Sequence, residues 1–241
     1  MFCIIVLPIV IMRLPFLLIK SVSTEIPSGI EASKVEQIAN DLLKGNYLFV
    51  FPKRNIFLYP KKEIEAAIYG ELPRIESLKI KLNDFSIIHI SATLRKPISL
   101  VCENVEEKKC FFLDEKGFIF DSAGDFSKGI YFIYRSKQDP VSIGTMYMSE
   151  DQFIRLKTVV GKIRDIGFLP EEVKQNPDGS FNLQVSGGHI IFNLQDESEM
   201  LTNLESLVDE QKLGILSGGR LEIYSIDLRF GKKIILKRLG E

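Results

Sequence analysis

The chain contains no tryptophan, and only two histidines and three cysteines among its 241 residues. His89 sits inside an alternating apolar stretch and His189 begins another, so no Cys/His cluster has ligand spacing and no metal site is expected. There is no G-x-S-x-G elbow. Ser186-Gly187-Gly188-His189 and Ser217-Gly218-Gly219-Arg220 lack the glycine spacing and the Lys-Ser/Thr of a phosphate loop, and both read as hairpin turns. Acidic residues are numerous, yet their spacing selects no catalytic pair. The expectation is a protein that is not an enzyme, with no cofactor and no small-molecule substrate. An excess of charge is missing as well: 31 basic residues face 32 acidic ones, a net charge of −1. That balance argues against a nucleic-acid binder working through a bulk cationic field.

What the chain does have is enough apolar content for a core, 45 % against 26 % charged. It is unevenly spread. Residues 1–19, MFCIIVLPIVIMRLPFLLI, hold one charge, Arg13, and are about the ~20 residues that a membrane-crossing helix needs. Pro8 and Pro15 are tolerated in such helices, while Arg13 at the centre costs about 2.5–3.5 kcal/mol on insertion scales. The reading carried forward is an N-terminal transmembrane helix over 1–19. A signal peptide and a buried first strand are the alternatives. The basic region and small-residue cleavage site of a signal peptide are missing. No basic tail precedes the span either, so the anchor reading expects a start truncated relative to the full gene product.

Beyond the span, a strand is expected near residues 20–26. A helix follows from a capping box at Ser33-Lys34-Val35-Glu36, with Val35, Ile38, Ala39, Leu42 and Leu43 on one face and a stop at Gly45. A second helix fits residues 60–69, with Gly70 past its end. Residues 75–82 and 85–94 alternate as two strands joined at Asn83-Asp84. The order is β-α-α-β-β over 20–95, and the expected boundary is Arg95-Lys96-Pro97. From there strands dominate: 98–102, 110–113, 118–121, 130–134, 141–148, 181–185, 189–194, 221–226 and 233–237. Two helices interrupt them, one capped by Ser149-Glu150-Asp151-Gln152 and one opening near Asp196. The fold class is α+β, the second domain being a mixed β-sheet with two helices.

Cys102 and Cys110 flank a polar stretch at the ends of two strands of one hairpin, a credible disulfide in a translocated chain, against an alternative of two buried thiols. Cys3 has no partner. At the C-terminus, Ile226, Leu228 and Phe230 share one strand face and Asp227 and Arg229 the other, where the last two can pair. The plain reading of the final strand is an amphipathic edge in which Lys232, Lys233 and Lys237 discourage unwanted pairing. The sharper reading is an edge that accepts a partner's strand.

The stretch Ile226-Asp227-Leu228-Arg229-Phe230-Gly231 resembles the "vDLRf" ending of the FtsQ/DivIB family of bacterial cell-division proteins. Leu113-Asp114-Glu115-Lys116-Gly117-Phe118-Ile119-Phe120 is similar to that family's "yyvD-x-x-G-x-vf" hairpin. Glu71-Leu72-Pro73-Arg74-Ile75 and Leu94-Arg95-Lys96-Pro97 resemble the end of its POTRA domain. Leu94 stands where the family usually has Glu, and Ser225 where it has an aromatic. The resemblance implies a 1–19 anchor, a POTRA domain over 20–95 and an FtsQ/DivIB-like β domain over 96–241. It implies a single-pass protein of the plasma membrane at the division septum, its bulk extracytoplasmic. Such a protein binds FtsB/DivIC-like and FtsL-like division proteins and helps control septal peptidoglycan synthesis. It also implies partner binding by Arg229 and Phe230 and by the strand of Gly231, Lys232, Lys233, Ile234, Ile235 and Leu236. The rival expectations are an envelope POTRA protein of polypeptide transport or outer-envelope biogenesis, and a secreted ligand-binding β protein.

Overall fold

The computed structural model describes residues 10–104, 109–124, 129–136, 140–209, 215–216, 220–221, 223–231 and 233–238, with backbone alone at 209, 215–216, 220–221, 223 and 238. The chain separates into two units, Met1–Arg95 and Lys96–Glu241.

The expected transmembrane helix over 1–19 is not seen in its described part, residues 10–19. No helix among the described residues is long and apolar enough to cross a membrane. Residues 10–12 are helical, Pro15–Leu17 make a single 3-10 turn, and Leu14 between them is extended. Pro15 is the local cause, because it disfavours helical backbone in the residue before it and has no N–H to continue a ladder. The rest of the segment is tied into the first unit. Ile19 N–H donates to the Arg54 carbonyl (2.8 Å) and Ile56 N–H to the Leu17 carbonyl (3.0 Å). The Asn55 amide donates to the Met12 carbonyl (2.9 Å), and the Arg13 guanidinium to the Val50 carbonyl (3.1 and 3.2 Å). Ile19 is fully buried in the core of this unit. Residues 1–9 of the expected span lie outside the described residues.

The first unit runs β1 (Ser21–Glu25), α1 (Ala32–Leu42), a short hairpin of β2 (Asn46–Tyr47) and β3 (Phe51–Pro52), α2 (Lys61–Glu71), β4 (Ile75–Asn83) and β5 (Ile87–Leu94). Its three-stranded sheet has the order β1-β5-β4, with β1 parallel to β5 and β4 antiparallel to it. Val35, Ile38 and Ala39 of α1 and Ile64 and Ile68 of α2 pack with Ile80, Ile88 and Ile90 of the sheet. Two local signals differ from expectation. The capping box at Ser33 does not form: α1 begins earlier, with Glu31 as its cap residue, and the Glu36 carboxylate accepts from the Thr24 hydroxyl instead (2.9 Å). Gly70 lies within α2 rather than past it, since Leu72 N–H still reaches the Ile68 carbonyl (2.9 Å).

In the second unit, β6 (Ser99–Cys102), β7 (Cys110–Leu113), β8 (Ile119–Ala123) and β9 (Phe132–Arg135) are followed by α3 (Glu150–Asp165). Then come β10 (Pro170–Gln175), β11 (Phe181–Val185), β12 (Gly188–Phe192), α4 (Glu197–Asp209), the small pair β13 (Ile215–Leu216) and β14 (Arg220–Leu221), β15 (Ile223–Phe230) and β16 (Lys233–Arg238). Nine of these strands form one sheet, in the order β16-β15-β12-β11-β10-β9-β6-β7-β8. β6–β9, β9–β10 and β12–β15 pair in parallel, the rest antiparallel. The α+β class holds for the described residues.

Phe153, Leu156, Val160 and Ile163 of α3 and Met200 and Leu204 of α4 join the apolar face of this sheet. Ser149 does cap α3, its hydroxyl accepting from Gln152 N–H. The strand expected over 141–148 is instead an irregular segment that lies along 117–119 through Ile119 N–H to the Thr145 carbonyl (2.9 Å) and Tyr147 N–H to the Gly117 carbonyl (2.9 Å). Conversely β10, with the sequence PEEVKQ, carries no apolar alternation and only Val173 is buried. Its neighbours on both sides, β9 and β11, hold it extended.

Candidate functional site

The end of the sheet is built by β15 and β16. Ile226 and Leu228 are buried on the core face, where Ile234 and Leu236 of β16 also pack. The register sets Ile226 opposite Leu236 and Asp227 opposite Ile235, with a shift between Asp227 and Phe230. Because successive strand residues alternate faces, Lys233, Ile235 and Lys237 point away from the core and are exposed. The turn between the strands is held at Gly231, whose φ is +60° and whose carbonyl accepts from the Asn203 side chain of α4 (3.2 Å). Lys232 lies outside the described residues.

β16 closes the strand order on this side, with β15 as its paired neighbour. Its outer backbone is therefore the sheet's edge among the described residues. A row of unpaired main-chain donors and acceptors is a template for another strand. On this edge, an apolar side chain (Ile235) stands between two lysines.

Arg229 is held in a clamp within its own unit. Its guanidinium donates to both Asp227 carboxylate oxygens (2.7–3.2 Å) and to Asp178 (2.8 Å) in the turn between β10 and β11. The hydrogen bonds to Asp227 raise its pKa above the ordinary arginine value. Hydrogen bonds from the Ser180 hydroxyl and N–H, joined by the Arg229 charge, hold the Asp178 carboxyl below its usual range. Arg229 thus ties β15 to a turn 51 residues away. Phe230 is exposed, with the Arg229 guanidinium 5.5 Å from its ring centre. No local sequence signal marks Asp178 or Asn203 as part of this end of the sheet. The Asn176-Pro177-Asp178-Gly179 stretch is legible as a turn, but nothing local says which strand it meets.

Cys102 and Cys110 are direct partners in the β6–β7 register and form a disulfide, with Cα atoms 4.1 Å apart. Several strands separate them from β16, so the two groups of singled-out residues do not form one site. Next to the bridge, the buried Glu103 carboxylate accepts from Val141 N–H (2.8 Å) and lies 3.8 Å from Lys109. His89 contacts the Ser23 hydroxyl (3.0 Å) and Glu25 (3.4 Å), and His189 packs edge-on against Tyr224. Among the described residues no three His, Cys, Asp or Glu side chains group as metal ligands. A cleft of about 380 Å³ is lined by Ser136, Ser142, Thr145 and Tyr147 with apolar neighbours, and none of its described lining residues is acidic or basic.

Turn geometry agrees with the reading of Ser186–His189, where Gly187 takes φ +93° between β11 and β12. Residues 217–219 of the other glycine-rich stretch lie outside the described residues. No protein-family model matches the chain, and no curated protein matches it significantly.

Proposed function

We propose that the chain is a non-catalytic scaffold of bacterial cell division, of the FtsQ/DivIB type. In this reading it binds an FtsB/DivIC-like partner, with an FtsL-like protein, by accepting a strand along β16, and so helps control septal peptidoglycan synthesis. One observation carries the proposal: β16 stands at the end of the sheet order and presents Ile235 between Lys233 and Lys237 on its exposed face. Main-chain bonds along such an edge supply affinity, and the side-chain alternation supplies selectivity. The two lysines favour an incoming strand with acidic residues around an apolar one.

Two further features support the reading. The first unit has the β-α-α-β-β order expected of a POTRA module, with the β2–β3 hairpin between its helices. The Cys102–Cys110 bridge suits an oxidising compartment, hence an extracytoplasmic placement.

Ile235→Lys alters the exposed face of the edge, and Ile234→Pro removes a main-chain donor from it. Each is expected to weaken capture of an FtsB/DivIC-like ectodomain by roughly tenfold or more, equivalent to about 1.4 kcal/mol. Circular dichroism melts identify the variants that remain folded. Unchanged capture by both folded variants removes the edge from the reading. A fluorescent fusion spread evenly over the envelope, rather than gathered at mid-cell, removes cell division.

A further inference from the structure

Among the described residues four non-glycine residues have positive φ, and all four lie at two hairpin tips of the first unit. Leu48 (+48°) and Phe49 (+61°) join β2 to β3, closed by Val50 N–H to the Tyr47 carbonyl (3.0 Å). Asp84 (+49°) and Phe85 (+55°) join β4 to β5, closed by Ser86 N–H to the Asn83 carbonyl (3.2 Å). Turns with two positive φ values favour Asn-Gly or Asp-Gly, because a Cβ is strained there. Here three of the four positions hold large apolar side chains that also face solvent: Leu48 is 82 %, Phe49 95 % and Phe85 76 % exposed. Strain and exposure together work against folding, and such local conflicts cluster at functional surfaces.

Both tips lie at the end of the unit where the chain enters. Lys20 N–H donates to the Ser86 carbonyl, directly after Phe85, and the Arg13 guanidinium donates to the Val50 carbonyl, directly after Phe49. Val10, Ile11, Phe16 and Phe57 are exposed in the same stitched segments. Residues 10–20 and 44–59 carry five basic side chains (Arg13, Lys20, Lys44, Lys53 and Arg54) and no acidic one, with Lys44 paired to Asp41 of α1 (2.7 Å). Asp84 is the acidic residue on the tips themselves. Residues 1–9 of the sequence carry no charged side chain.

We propose that this end of the first unit is a membrane-contact surface that seats its two hairpin tips in the interfacial layer of an anionic bilayer. Large apolar residues backed by a basic collar are the composition that binds such an interface, with the long basic side chains reaching headgroup phosphates. The contact is a seating on the surface, distinct from a crossing helix.

The absence of tryptophan makes the test direct, since Phe49→Trp supplies the sole tryptophan of the full chain, which can be excited selectively over its tyrosines. With vesicles of phosphatidylcholine containing about one-third phosphatidylglycerol, its emission is expected to move to the blue and to be quenched by brominated lipid. Tyr69→Trp, on α2, is expected to show neither change. Replacing Leu48→Asn together with Phe49→Gly gives the favoured turn. That variant is expected to melt no lower than the parent while its vesicle partition falls by roughly tenfold. Unchanged Phe49→Trp emission on vesicles overturns the proposal. So does an Asn-Gly variant that binds vesicles as well as the parent, which assigns binding to residues 1–9. A blue shift that grows with protein concentration without lipid also overturns it, assigning the surface to a second copy.

Discussion

The guanidinium of Arg229 clamps the carboxylate of Asp227, two residues earlier on the same strand, with its Nε and one terminal nitrogen 2.7–3.2 Å from the two oxygens. Its other terminal nitrogen reaches Asp178 at 2.8 Å. All three side chains are at least partly exposed, so solvent screens the pairing. Arg229→Ala is expected to lower the stability of the second unit by no more than about 1 kcal/mol in urea unfolding. Arg229→Glu is expected to cost more, because it sets a third carboxylate against two. A stability unchanged by either variant assigns the clamp no structural weight.

Acid weakens the same clamp. The Asp178 carboxyl is held below its ordinary range by the Ser180 hydrogen bonds first and the Arg229 charge second. A depressed carboxyl contributes stability above its unfolded pKa of about 3.9 and loses it as pH falls through the folded value. Asp178→Asn is therefore expected to flatten the acid limb of the stability–pH curve below about pH 4. It leaves the neutral-to-alkaline limb in place. Thermal melts of both proteins across that range measure it.

At the alkaline end, two tyrosines act with the opposite sign. Tyr134 and Tyr147 are buried, and desolvation pushes both above the usual tyrosine range. The Tyr147 hydroxyl donates to the Arg135 carbonyl (3.0 Å). Their contribution to stability is complete below the unfolded pKa of about 10 and is lost as pH rises through the folded values. In a tyrosinate absorbance titration, these two are expected to ionise only as the second unit unfolds. Tyr147→Phe removes one of the late-ionising groups.

Gly117 and Phe153 touch so closely that a Cβ at 117 would stand 2.7 Å from the Phe153 ring, and Gly117 also holds φ +81°. Gly117→Ala meets both strain and overpacking, and is expected to destabilise by roughly 2–4 kcal/mol. Gly179, with φ +87° and open space around its Cβ position, is the control. Gly179→Ala is expected to cost only about 1 kcal/mol, from the backbone alone. Equal losses in the two variants would assign no role to the Phe153 contact.

The disulfide closes a short loop, with eight positions separating Cys102 and Cys110. Loop-closure entropy assigns it about 2.5 kcal/mol. Serine at both positions is expected to lower the stability of the second unit by an amount of that order, readable by urea unfolding with and without reductant.

Periodicity by itself determined much of the framework. The alternation over 75–94 produces β4 and β5, the Ser149 cap and the spacing of Phe153, Leu156, Val160 and Ile163 produce α3, and the pattern of Ile226 and Leu228 places the core face of β15. These signals are local, and each states which face of an element is buried. They do not state what it is buried against. Only the tertiary structure decided that an apolar run around Ile19 meets the first unit's own core, through hydrogen bonds exchanged with residues 50–56, instead of forming, among the described residues, a helix long enough to cross lipid. The same holds for β10, whose polar sequence is kept extended by neighbours, and for Arg229, whose second partner lies far along the chain. Hydrophobicity is the same quantity toward a core, a membrane or a partner, so the destination of an apolar surface is settled by which complementary groups the fold brings to it.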